Sequence, residues 1–177
     1  IPGPLVSVLF ERGAFDAADT RATALALAVY GLGLPAFVLQ KVLQPLYFAR
    51  EDTRTPFRFA LVSMVVNAAL AIGLAPVAGF LSAAIGTTLA GWAMVLLLSR
   101  GTRRMGDAAT ADARLRRRLP RILLAAGAMA LVLRLAALWL APALADDGWR
   151  FLALAGLVVL GAASYFGIGG LIGAFAL

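Results

Sequence analysis

The chain contains neither cysteine nor histidine. The first absence excludes disulfides and thiol chemistry, and together they leave no soft or imidazole metal site. The lack of histidine also removes the commonest general base and proton shuttle. Charge is scarce. Asp, Glu, Lys and Arg make up 14% of the 177 residues, where a soluble domain carries about 25%. All nine acidic residues fall between apolar stretches, so no paired carboxylates sit inside one. There is no phosphate-binding Walker loop and no G-x-G-x-x-G following a strand. Acid–base enzymology is not expected.

What is abundant is apolar. Hydrophobic residues reach 62% and the mean hydropathy is +0.91, which indicates an integral membrane protein. Crossing about 30 Å of hydrocarbon takes about 20 mostly apolar residues. Five stretches qualify, near Ala22–Ala49, Thr55–Ala75, Gly79–Leu98, Arg121–Ala141 and Trp149–Phe175. Residues 1–10 read as the tail of a sixth. Lipid cannot satisfy free backbone groups and strict alternation is absent, so the fold class is an all-α polytopic helix bundle. Asp16 and Asp19-Thr20 are N-cap types before the first full span. Pro56 and Pro76 sit near helix ends, where a missing N–H does least harm. Tyr30, Tyr47, Trp92, Trp139 and Trp149 are candidate interfacial anchors. The chain opens on Ile1 with no signal peptide in view, and reads as the C-terminal part of a longer membrane protein.

The net charge of +7 matters by where it sits. Residues 49–58 and 99–121 hold eleven Arg, and the alternate links hold three. The positive-inside rule places those two loops and the C-terminus in the cytoplasm. The organisation expected is a bundle over 1–98, a basic cytoplasmic loop over 99–120 and a helical hairpin over 121–177. The Arg114–Arg121 run reads as a topogenic cluster beside anionic lipid, worth about 1 kcal/mol per charge. It has no interleaved aromatics, so nucleic acid is not an expected partner.

Polar groups at membrane depth are costly and count as functional candidates. Gln40 and Gln44 share one face of the first full span, with Lys41 adjoining. Pro35 and Pro45 each free a carbonyl and bend that helix. These residues either line a hydrophilic cavity, or Lys41 snorkels over about 12 Å toward the interface. Ser63 and Asn67 on the next span, and Ser82, Thr87 and Thr88 on the third, are the other polar sets. Asn67 and Thr87 could offer neutral oxygens to a hard cation such as Na⁺, though no carboxylate joins them. The alternative is interhelical hydrogen bonding, roughly 0.6 kcal/mol per contact. Arg134 either snorkels outward or meets an anionic lipid headgroup. Gly161, Gly167, Gly169, Gly170 and Gly173 form a small-residue face on the last span, suited to close packing or to an acyl or isoprenoid chain.

Two motifs carry a resemblance. Leu9-Phe10-Glu11-Arg12-Gly13-Ala14-Phe15 resembles the L-F-x-x-G-x-F element of the MurJ (MviN) family of lipid II flippases. The stretch Gly33-Leu34-Pro35 … Lys41-Val42-Leu43 … Pro45 … Tyr47-Phe48-Ala49-Arg50-Glu51-Asp52-Thr53-Arg54-Thr55-Pro56 is similar to the next segment of that family's sequences. Together they cover about a quarter of the chain. The resemblance implies fourteen helices in two six-helix lobes around a central cavity plus two extra helices, within the superfamily of multidrug and polysaccharide exporters. This chain would supply the end of helix nine and helices ten to fourteen. It implies a non-enzymatic flippase that moves undecaprenyl-linked peptidoglycan precursor across the bacterial inner membrane by alternating access. The lipid tail would run along a groove made with the last two spans. The family's pyrophosphate-binding arginines lie upstream of this chain. A sodium site suspected in part of the family would fall near Asn67 and Thr87, but Ala71 stands where a carboxylate is wanted.

On this reading Gln40, Lys41 and Gln44 are cavity candidates. Pro35, Pro45, Arg50, Glu51, Asp52 and Arg54 form a cytoplasmic hinge or gate, and the protein works as a monomer without an organic cofactor. The alternatives are an ion-coupled drug or polysaccharide exporter, or a membrane scaffold subunit with no hydrated cavity.

Overall fold

The computed structural model describes residues 2–102, 105, 113–146 and 148–174, with backbone only for 113–116. Arg103, Arg104, Asp147 and Phe175 lie outside the described residues, as do the side chains of Arg114 and Arg116. Among the described residues seven helices follow in order: α1 (Pro2–Phe10), α2 (Ala17–Phe48), α3 (Arg54–Ala78), α4 (Leu81–Thr102), α5 (Ala113–Trp139), α6 (Ala141–Ala145) and α7 (Arg150–Leu171). No strand occurs among the described residues. Five helices are long and apolar enough to cross a membrane, and they coincide with the five expected spans.

The differences lie at the ends. α2 starts at Ala17, where Asp16 Oδ1 accepts the backbone N–H groups of Ala18 (2.7 Å) and Asp19 (3.0 Å). Asp19 Oδ2 accepts from the Asp16 N–H at 3.2 Å, which completes a reciprocal cap. α5 starts at Ala113, well before Arg121, and carries Pro120 inside it. The basic run is therefore helical. Arg, Leu and Ala are strong helix formers, so the helix outruns the apolar segment that hydropathy detects.

The chain divides into two compact units. One comprises residues 25–110. In it α3 and α4 form an antiparallel hairpin closed by Gly79, whose φ of 53° and N–H bond to the Ala75 carbonyl (3.0 Å) cap α3. α4 is the most interior span, with half of its apolar window buried. α2 from Leu25 onward lies along it. Near one end Tyr47, Met94 and Leu98 form a core covered by Leu43, Phe59 and Met105.

The other unit comprises residues 1–24 and 111–177. Its body is the α5–α7 pair, with α1 and the short α6 packed on α7. Leu157 and Ala125 are fully buried there. Trp139, the last residue of α5, and Trp149, just before α7, are strongly exposed, as interfacial aromatics would be.

Candidate functional site

Helix α2, which carries Pro35 and Pro45, is held to α4 by a seam of hydrogen bonds from side chains to backbone carbonyls. Pro35 lacks the N–H that the Gly31 carbonyl would receive. On either side of Gly31, the Val29 carbonyl accepts from Thr88 Oγ1 (3.0 Å) and the Leu32 carbonyl from Trp92 Nε1 (3.1 Å). Further along, Gln40 Nε2 donates to the Gly91 carbonyl (2.9 Å) and Tyr47 Oη to the Leu98 carbonyl (2.6 Å). Glycines allow this approach. A Cβ on Gly91 would stand 3.0 Å from the Phe37 ring, and one on Gly101 would overlap Tyr47 Oη.

Beside the seam, α2, α3 and α4 border an open cavity of about 240 Å³. Phe37 and Gln40 line it from α2, Ser63 and Asn67 from α3, and Thr87 and Gly91 from α4. Ser63 Oγ donates to the Ala90 carbonyl at 2.8 Å. Thr87 Oγ1 reaches Asn67 Oδ1 at 3.5 Å, the outer limit for such a bond. Gly86 lets the two helices touch, since a Cβ there would lie 2.9 Å from Asn67 Oδ1 and 3.0 Å from the Asn67 carbonyl. Four residues that the sequence presents as separate candidates thus meet at one place. The lining is neutral. Hard cations are held by six or more oxygens, usually with carboxylates among them. The side-chain oxygens here, from Gln40, Ser63, Asn67 and Thr87, are all neutral, and a set without a carboxylate does not fit a resident Na⁺.

Lys41 and Gln44 do not line this cavity. Lys41 is exposed and Gln44 half-buried. Pro35 and Pro45 are exposed on α2. Tyr47 is buried and is not an interfacial anchor. Trp92 keeps an exposed ring but spends its indole N–H on the Leu32 carbonyl.

The charged turn closes α2 and opens α3. The Asp52 N–H bonds the Tyr47 carbonyl (3.1 Å) and the Glu51 N–H bonds the Phe48 carbonyl (3.0 Å), a Schellman ending. Glu51 holds the left-handed position with φ 58°, where glycine is usual. Asp52 Oδ1 then accepts the Thr55 N–H at 2.9 Å, starting α3. Hydrogen bonds from the Thr55 side chain and backbone hold the Asp52 carboxyl below the usual carboxylate range. Arg54 is exposed at the first position of α3. Arg50 Nη2 donates to the Met105 carbonyl (2.8 Å), tying this turn to the segment after α4. A cleft of about 450 Å³ lies beside it, lined by Asp52, Thr55, Phe59, Arg100 and Met105.

In the other unit Arg134 is exposed on α5. The expected glycine face of α7 is broken up. A Cβ on Gly161 would lie 3.2 Å from Leu133, whereas Gly167 and Gly170 face open space. Gly173 lies beyond the helix at φ 66°. There the Ala174 N–H bonds the Gly169 carbonyl (2.8 Å), and the Gly173 carbonyl accepts from Arg121 Nη1 (3.3 Å). It terminates the helix, so Gly169 and Gly173 are not a helical packing motif.

A model of the family described as "Lipid II flippase MurJ" matches residues 2–159. A "Probable lipid II flippase MurJ" of Rhizobium meliloti (strain 1021) is 44% identical over 174 residues, covering 94% of this chain and 32% of that protein. One so named in Vibrio cholerae serotype O1 is 34% identical over 173 residues, covering 93% and 31%. One in Rhizobium tropici is 49% identical over 88 residues, covering 50% and 16%. The chain spans about a third of the length of the first of these relatives. With the two sequence motifs lying inside the matched range, the chain belongs to the lipid II flippase MurJ family.

Proposed function

We propose that this chain serves the translocation of undecaprenyl-linked peptidoglycan precursor across the bacterial inner membrane, as a transporter rather than a catalyst. The observation that carries the reading is the family match over residues 2–159. Alternating access is the mechanism, and the α2–α3–α4 unit is its moving body. The seam between α2 and α4 suits that role, because a helix stitched to its neighbour by four side-chain-to-carbonyl bonds shifts with it as one piece. The exposed Lys41 and the half-buried Gln44 present polar groups along the substrate path, and Gln40 braces them from behind. Pro35, Pro45 and the Arg50–Arg54 turn act as hinge and gate.

The positively charged loops face the cytoplasm, and so does the C-terminus. Two contacts support this alternation. The turn at Arg50 touches Met105, and Glu11 and Arg150 line one cavity. In each case the pair comes from loops that the Arg distribution assigns to the same side. The lipid tail follows a groove beside α5 and α7, and basic residues at the cytoplasmic surface attract anionic lipid. The protein acts as a monomer. In cells depleted of their own flippase, the full-length protein restores growth and the appearance of precursor in the outer leaflet. Restored growth without outward movement of precursor would overturn the proposal.

A further inference from the structure

A cleft of about 560 Å³ lies within the unit formed by residues 1–24 and 111–177. Pro4, Ser7 and Val8 line it from α1, and Glu11 from the residue that follows that helix. Ala141, Leu144 and Arg150 line it from the segment between α5 and α7. Apart from Ser7 the uncharged lining is apolar, and Glu11 and Arg150 are its two charged residues.

Both charges are positioned. Thr20, itself buried, donates its hydroxyl to Glu11 Oε2 at 2.9 Å. The Arg150 guanidinium carbon lies 5.3 Å from the Phe151 ring centroid, within cation–π range. The cavity sits at the ends of α1 and α7, level with the exposed Trp149. That is where phospholipid headgroups would meet the protein.

We propose that this cavity binds the headgroup of a zwitterionic aminophospholipid, with its phosphate on Arg150 and its primary ammonium on Glu11. A guanidinium matches phosphate oxygens in a forked geometry, and a carboxylate accepts ammonium hydrogens. A choline headgroup has no N–H to give Glu11. An anionic headgroup, or the pyrophosphate of a lipid-linked sugar, would be repelled by it. The small apolar wall leaves room for the glycerol and the start of an acyl chain. Its lining residues do not include the path residues Gln40, Lys41 and Gln44.

The test uses full-length protein reconstituted in vesicles of phosphatidylethanolamine or of phosphatidylcholine, each mixed with phosphatidylglycerol. It is then extracted in mild detergent, and the co-purifying lipid is weighed by mass spectrometry. Wild type retains phosphatidylethanolamine over phosphatidylcholine by about tenfold or more, the worth of one charge-assisted hydrogen bond. Glu11→Gln brings that ratio close to one. Equal retention by wild type, or an unchanged ratio in Glu11→Gln, overturns the site. A photoreactive phosphatidylethanolamine needs no variant, and it labels the peptide containing Ala141 and Leu144. Absence of label there also overturns the site. If soluble phosphoethanolamine blocks labelling while no lipid is retained, the ligand is a free phosphoamine and the lipid assignment fails.

Discussion

A methyl group at Gly86 has nowhere to go. It would meet the Asn67 carbonyl at 3.0 Å and the Ala71 nitrogen at 3.2 Å, both backbone atoms of α3. Gly86→Ala is expected to destabilise the protein by about 1–3 kcal/mol, the usual range for overpacking. Gly127 in α5 meets nothing within 4 Å, so Gly127→Ala should be neutral or stabilising by about 0.5–1 kcal/mol. Thermal unfolding of the two variants in one detergent checks the contrast. Tyr47→Phe removes a single buried bond to Leu98, at a cost of about 0.5–1.5 kcal/mol by the same measurement. At this scale the sequence shows which residues are unusual but not which way they point. Gln40, Ser63, Asn67 and Thr87 stand out as polar at depth, and all four reach one cavity. Lys41 and Gln44 stand out equally and do not. Tyr47 looks like an interfacial anchor because hydropathy places it near a helix end. Only the glycine at position 101 beneath its hydroxyl hints that it turns inward.

Helix existence was legible because each span needs an apolar run of membrane length, and five such runs are present. Helix starts were less so. The beginning of α5 is built from helix-forming basic residues that a hydropathy reading assigns to a loop. Gly173 shows the same limit, since glycine serves both packing and helix termination and spacing alone cannot separate them. The α2–α3 turn yields two predictions. Glu51→Gly should stabilise it by about 1 kcal/mol by relieving a left-handed backbone, seen as slower amide exchange at residues 48–55. Asp52 sets a pH dependence. Its carboxyl titrates lower in the folded turn than in the unfolded chain, so its contribution is full above the ordinary carboxylate range. That contribution is lost as pH falls through the depressed value. Asp52→Asn keeps the cap acceptor and flattens the acid limb of the turn's exchange protection. An unchanged acid limb would mean that Asp52 does not hold the start of α3.

For the whole molecule, the two units and their cavities could not be read from the sequence. Only the fold brings residues 1–24 together with residues beyond 110. The resemblance to the family, by contrast, was legible in two short motifs of the sequence, both inside the range that the family model matches. If Lys41 lies on the substrate path, Lys41→Ala lowers translocation severalfold with little loss of protein from the membrane. In a cysteine-free background, Lys41→Cys reacts with a water-soluble thiol reagent faster than Gln40→Cys, whose position is braced against Gly91. The central claim is tested most directly in vesicles containing the full-length protein and a labelled lipid-linked peptidoglycan precursor on the inner leaflet, with an impermeant hydrolase added outside. Cleavage of inner-leaflet precursor at a rate well above that of protein-free vesicles is predicted, with Lys41→Ala slower than wild type. Cleavage no faster than in protein-free vesicles would contradict a role in translocation.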